Sequence, residues 1–171
     1  LPQIVQDKGM GFLVKKELLA LNKLLTSPIR PFWALLGGAK VSDKIQLIEK
    51  LIGLVDGFCI GGAMAFPFLK AQGYRVGKSY CEDDRIDFAN HLLKTARKEK
   101  KQILLPEDHL CAIRQDPSSR KWMQHTVVNS PDVPEELSAI DIGPKTLKKF
   151  TTALSKAKQL FWNGPMGVYE D

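Results

Sequence analysis

Short unbroken apolar runs alternate along this chain with segments whose apolar residues return every three or four positions. Phe32-Trp33-Ala34-Leu35-Leu36 is one such run, stopped by Gly37-Gly38, and it predicts a strand buried on both faces. From Asp43 to Val55, the apolar residues Ile45, Ile48, Leu51, Ile52 and Val55 recur at helical spacing. Gly57-Phe58-Cys59-Ile60 repeats the strand pattern and again ends in paired glycines, Gly61-Gly62. Ala63 to Gln72 predicts a helix with Pro67 in its first turns. Asp84 to Lys100 predicts another, with Ile86, Ala89, Leu92, Leu93 and Ala96 on one face, an acidic start and a basic end. Gln102 to Leu105 reads as a third strand and Leu160 to Trp162 as the last, ending in Asn163-Gly164-Pro165. A helix from Pro144 to about Lys156 precedes that last strand, and Phe12 to Leu25 predicts a helix ahead of the whole array. The stretch from Asp108 to Pro134 is mixed, with Thr126 to Val128 its one short strand.

Strand and helix in alternation predict the α/β class: a Rossmann-like, three-layer domain with a mostly parallel sheet and helices on both faces. Open sheets of this kind bind ligands beyond the carboxyl ends of their strands. Glycines at those ends let the backbone approach a ligand closely and leave helix N-termini open to anions. A nucleotide or phosphate site is therefore expected there, although turn chemistry alone also places glycine at a strand end.

Composition narrows the choice of partner. The 171 residues are 44% hydrophobic and 26% charged, as in soluble globular proteins. No apolar run reaches the ~20 residues of a membrane span, and Gln3, Asp7 and Lys8 interrupt any signal-peptide core. No membrane partner is expected. The chain opens on Leu1 rather than Met, which suggests a piece of something longer. Three widely spaced cysteines fit reduced thiols in the cytoplasm better than a disulfide framework or zinc site, and His91, His109 and His125 share no metal spacing. No metal ligands are assigned, and the histidines are expected in polar loops or on the surface. The net charge of +6 favours anionic partners. Much of it lies in Lys94 to Lys101, which reads as a solvated helix end. A basic module holding nucleic acid or another anion is the alternative. The basic residues are not interleaved with aromatics, so no nucleic-acid partner is expected. Trp33, Trp122 and Trp162 are expected in the core or in the walls of a slot.

The most informative stretch is Gly37-Gly-Ala-Lys-Val-Ser-Asp-Lys44. Lys40 and Lys44, four residues apart, fall on one face of the predicted helix start, where cations oppose the dipole unless an anion lies between them. They are either phosphate ligands or ordinary exposed lysines relieved by Asp43. Gly73-Tyr-Arg-Val-Gly77-Lys78-Ser79 imitates a phosphate-binding P-loop, but it has three residues between its glycines and follows a helix rather than a strand.

Four segments together resemble one family. Gly37 to Ile45, Gly61 to Phe66, Asp141 to Pro144 and Trp162 to Glu170 look like phosphoglycerate kinase, in that family's order and spacing, and Gly11-Phe-Leu with Lys16-Glu17 resembles the segment that enters its nucleotide-binding domain. The resemblance covers essentially the whole chain and looks closest to bacterial members. It implies reversible phosphoryl transfer between 1,3-bisphosphoglycerate and ADP, giving 3-phosphoglycerate and ATP, in a protein that is monomeric at full length. It implies that Lys40 is catalytic, stabilising the transferring group, and that Lys44 and Asn163 hold nucleotide phosphates. Glu170 would take the ribose hydroxyls. Gly38, Ala39, Gly62, Ala63, Ala139, Ile140, Pro165 and Val168 would line the adenine and ribose slot. ATP or ADP with magnesium would be the cofactor, the magnesium-handling aspartate of the family's Gly-Gly-Gly-Asp loop falling beyond Asp171. Residues 1–30 would lead in from an N-terminal domain that binds 3-phosphoglycerate, and 31–171 would be a truncated nucleotide-binding domain, inactive alone. A nucleotide-binding remnant without catalysis is the variant of this reading. Departures from the family are Ala63, where a third glycine is usual, and Leu105-Pro-Glu-Asp108, where Leu-Pro-Val-Asp is common.

Overall fold

The computed structural model describes residues 9–114 and 121–169. The two continuous apolar runs form strands β1 (Phe32–Leu36) and β2 (Gly57–Ile60), every residue of which is buried. With β3 (Gln102–Leu104) and β7 (Gln159–Asn163) they make a four-stranded parallel sheet in the order β3-β2-β1-β7. Successive side chains of a strand point to opposite faces, and both faces are covered. Phe32, Ala34, Leu36, Phe58 and Ile60 pack on one side against α2 (Ile45–Leu51), α3 (Phe66–Ala71) and α4 (Ile86–Lys98). Trp33, Leu35 and Cys59 pack on the other against Phe150 of α5 (Pro144–Leu154). The three-layer α/β expectation holds.

Several boundaries move for local reasons. A 3-10 turn, Ser42–Lys44, precedes α2, which stops at Leu51; the amides of Leu54 and Val55 both turn back to the Leu51 carbonyl, where a helix to Val55 was expected. Helix α4 ends at Lys98 and Lys100 takes a left-handed φ of 56°. Helix α1 (Phe12–Thr26) forms as expected but buries none of its residues, leaving Phe12 93% exposed.

The larger correction is a second sheet. Strands β4 (His109–Arg114), β5 (Trp122–Val128) and β6 (Ser138–Ile142) pair antiparallel in the order β5-β4-β6; the short strand expected at Thr126 to Val128 falls inside β5, whereas β4 lies in the stretch expected to be mixed and β6 beyond it was not expected. The alternation of this sheet is broken. Consecutive Cys111 and Ala112 are both buried, the register shifts on each side of β4, and Gln124 has a φ of 54° within β5. Two side-chain expectations change as well. His109 is buried on β4, unlike exposed His91 and His125, and Trp162 is 65% exposed on β7, an edge strand among the described residues. Among the described residues no helix is long and apolar enough to cross a membrane.

Candidate functional site

The chain runs from β1 to β2 on one side and reaches β7 on the other, so the crevice beyond β1 is a topological switch point. Three loops cross there, backbone against backbone. The Gly37 amide donates to the Asn163 carbonyl at 3.0 Å, the Gly61 amide to Leu36 at 2.8 Å, and the Gly62 amide to Met166 at 2.8 Å. A Cβ on Gly37 would run into the Pro165 carbonyl. Gly62 has a φ of +64°, and a Cβ there would lie 2.8 Å from both the nitrogen and the oxygen of Gly38. Glycine is required at these two positions by the closeness of the crossing.

Over this floor opens a cleft of about 220 Å³. Gly38, Ala39, Gly62, Ala63, Ala139, Ile140, Pro165 and Val168 all line it. Ala139 and Ile140 belong to β6, so the second sheet builds the wall opposite the strand ends, and the Val168 amide closes onto the Ile140 carbonyl at 2.8 Å. The P-loop look-alike fastens that wall: Lys78 donates its amide to the Leu137 carbonyl at 2.8 Å, and the Ser79 hydroxyl accepts the Ala139 amide at 2.9 Å. Ala63 starts a 3-10 turn, and the left-handed conformation falls on Gly62 before it, so a methyl group at the third position fits the backbone. His109, Phe66 and Asp141 also line the cleft. Phe66 and Asp141 end and begin segments already singled out by resemblance, whereas nothing in the sequence pointed to His109.

The lysines are arranged differently from expectation. Lys40 lies exposed in the loop ahead of the 3-10 turn, whereas Lys44 is that turn's last residue, so they do not share a helical face. The Lys44 ammonium donates to Asn163 Oδ1, bringing two of the predicted phosphate ligands together at the ends of β1 and β7. Glu170 lies outside the described residues.

Carboxylates already occupy the starts of α2 and α5, where open helix ends were expected for anions. Glu82 accepts the Ser42 amide at 3.0 Å and its hydroxyl at 2.6 Å, closing the start of the turn into α2. Burial alone would raise the Glu82 pKa, but the Ser42 hydroxyl and amide, the Val41 amide and Arg85 together hold it below the ordinary value. Asp108 does the same for α5, accepting the amides of Lys145 and Thr146 at 2.8 and 2.7 Å. Among the described residues no three His, Cys, Asp or Glu side chains gather as a metal site. All three cysteines are free, and burial pushes the Cys59 thiol up to about 12 and Cys111 to about 11.

A parallel sheet with its switch point beside β1, a glycine floor and a lysine–asparagine rim defines an α/β domain of the Rossmann-like class, with its candidate site at the carboxyl edge. The family model described as phosphoglycerate kinase matches residues 1–171. The phosphoglycerate kinase of Anaeromyxobacter sp. (strain K) is 48% identical over 168 residues, covering 98% of this chain and 41% of that protein. A cytosolic phosphoglycerate kinase of Trypanosoma congolense is 45% identical over 99% of this chain and 40% of its own length. The structure of phosphoglycerate kinase from Coxiella burnetii superposes with a TM-score of 0.84 at 39% identity, covering 94% of this chain and 40% of that one. The chain belongs to the phosphoglycerate kinase family, and it spans about two fifths of the length of the relatives it matches.

Proposed function

We propose that this chain is the nucleotide-binding part of a phosphoglycerate kinase, which in glycolysis moves a phosphoryl group between 1,3-bisphosphoglycerate and ADP to give 3-phosphoglycerate and ATP. The observation that carries this reading is convergence: eight residues drawn from four separated segments line one cleft, and Lys44 and Asn163, which are not in its lining, meet each other. The small residues Gly38, Ala39, Gly62 and Ala63 in its lining leave room for a flat ring and its sugar.

On this reading Gly38, Ala39, Gly62, Ala63, Ala139, Ile140, Pro165 and Val168 hold the adenine and ribose, and Glu170 takes the ribose hydroxyls. Lys44 and Asn163 hold nucleotide phosphates. Lys40, exposed and flanked by the glycine turn, places positive charge against the transferring group. Phosphoryl transfer asks little covalent work of a protein, and its rate rests on position and on charge aimed at spreading negative charge. ATP or ADP with magnesium is the proposed cofactor. The metal would neutralise phosphate charge, but the described residues gather no donor set for it, and no step is assigned through it. Residues 1–30 lead into the domain and 31–171 form its body. The acceptor, 3-phosphoglycerate, is assigned to the part of the relatives outside this chain, so these 171 residues bind nucleotide without turning it over. Cytosolic placement is part of this reading; relatives from Trypanosoma congolense carry both cytosolic and glycosomal names.

Titration with magnesium–ADP, followed through backbone amide shifts, tests the reading. Saturable shifts at Gly37–Lys44, Gly61–Ala63 and Asn163–Val168, weakened by Lys44→Ala, are expected. A folded chain that shows none would refute it.

A further inference from the structure

A second cavity, of about 660 Å³, opens on the α5 side of the parallel sheet and shares no lining residue with the cleft. Pro31 and Gln102 place one end of it at the amino edge of the sheet, away from the glycine floor. Its size is that of small-molecule sites. Lys145, Lys148, Lys149 and Lys156 supply one wall, and Pro31, Trp33 and Ala153 supply apolar surface.

The lysine wall breaks the charge rules of a helix. α5 carries three lysines and no acidic residue, and Lys145 lies three and four positions from Lys148 and Lys149, spacings at which like charges repel. Lys145 also stands in the first turn, where a cation opposes the helix dipole. Asp108 caps the backbone of that turn but pairs with no ammonium group. Glu107 pairs with Lys149, whereas among the described residues Lys145, Lys148 and Lys156 make no ion pair. Proteins break such local rules chiefly at functional sites. Trp33 adds a donor. Its ring lies over Gly57, where a Cβ would stand 2.6 Å from it, and 6% of the residue is exposed. The indole N–H has no hydrogen-bond partner among the described residues, yet it is not among their sealed, unpartnered buried atoms. A donor-only group left open beside three unpaired ammonium groups suits the oxygens of an anion.

We infer that this cavity binds an organic anion with at least two acidic groups on a flat apolar body. One acidic group accepts the Trp33 indole N–H, another lies among the ammonium groups of Lys145, Lys148 and Lys156, and the body rests on Pro31 and Ala153. A lone inorganic anion would leave the spread of charge unmatched, since Lys145 and Lys149 are separated by about 6 Å of helix and Lys156 lies about 10 Å further on. The site stands apart from the proposed nucleotide cleft and does not depend on that reading.

Naphthalene disulfonate is the probe, titrated into the isotope-labelled chain with magnesium–ADP in excess and followed through backbone amide and indole N–H shifts. Saturable shifts of the Trp33 indole and of the Lys145–Lys156 amides are expected. Naphthalene monosulfonate, lacking one charge, and inorganic pyrophosphate, lacking the apolar body, should each bind there at least about threefold more weakly. Changing both Lys148→Gln and Lys156→Gln should weaken the disulfonate on the order of fivefold, and both side chains are exposed, so the fold is kept. Pyrophosphate binding as tightly as the disulfonate would overturn the organic class of ligand, and neutral naphthol binding as tightly would overturn the anionic one. Absence of a saturable shift at Trp33, or shifts of equal size along the basic run Lys94–Lys101, would overturn the site itself. Failure of ADP to shift Gly37–Lys44 would remove the nucleotide reading and leave these readouts unaffected.

Discussion

Replacing Asp108 by alanine is expected to loosen the corner where β6 turns into α5. The residue is fully buried and its carboxylate accepts three hydrogen bonds: from the Lys145 amide at 2.8 Å, the Thr146 amide at 2.7 Å and the Thr146 hydroxyl at 2.6 Å. Its own carbonyl accepts the Gly143 amide at 2.9 Å. Losing a helix cap costs about 1 kcal/mol and at most roughly 2. A buried donor deprived of its acceptor adds about 1–3 kcal/mol, and the two effects overlap. Asp108→Ala should therefore cost about 3 kcal/mol, which for a chain of this size lowers Tm by about 6–12 °C. Urea and thermal unfolding followed by far-UV circular dichroism measure both. The acid limb supplies a second readout. Burial would raise the Asp108 pKa, but the Thr146 hydroxyl and the Lys145 and Thr146 amides hold it below its ordinary 3.8. Such a carboxylate stabilises the fold above its unfolded pKa and loses that contribution as pH falls through the folded one. The unaltered chain should thus lose stability below about pH 4 more steeply than Asp108→Ala. A cost under about 1 kcal/mol, or parallel acid limbs, would refute the reasoning.

Gly62→Ala forces a side chain into a left-handed conformation against the Gly38 backbone, and should destabilise by at least about 1–2 kcal/mol in the same urea assay. Lys44→Ala and Asn163→Ala should each weaken ADP binding several-fold, and the double variant should lose less than the sum because the two side chains touch. Additive losses would show that they act on separate groups. With burial holding Cys59 near 12 and Cys111 near 11, alkylation of both at pH 8 should be slow in the native chain and become fast in urea. Leu160 and Trp162 are exposed on β7, an edge strand among the described residues, so Trp162→Lys should reduce self-association measured by light scattering.

Much of the parallel sheet is legible in the sequence because burial on both faces leaves an unmistakable mark. β1 and β2 are unbroken apolar runs closed by glycine pairs, and their observed limits match the runs residue for residue. α4 is readable from its single apolar face and opposed end charges. β4 and the first half of β5 are not, because a register shift and a left-handed Gln124 destroy the alternation that marks a half-buried strand. Glu82 on Ser42 and Asp108 on Thr146 close helix ends across 40 and 38 positions of chain, a distance at which local pattern carries no information. The slot residues could be named in advance by resemblance. His109 could not, since nothing local distinguishes a buried imidazole from an exposed one.

Where three loops touch main chain to main chain, the cleft has a floor that admits no side chain. Substitution at Gly37 or Gly62 would break the crossing rather than reshape the site. Whatever variety this domain can acquire in the molecules it accepts must enter through the facing wall, where β4 and β6 carry ordinary, replaceable side chains on an irregular ladder. On the proposed nucleotide reading, the domain would separate an inflexible half, setting where a ligand lies, from an adaptable half, setting which ligand it is.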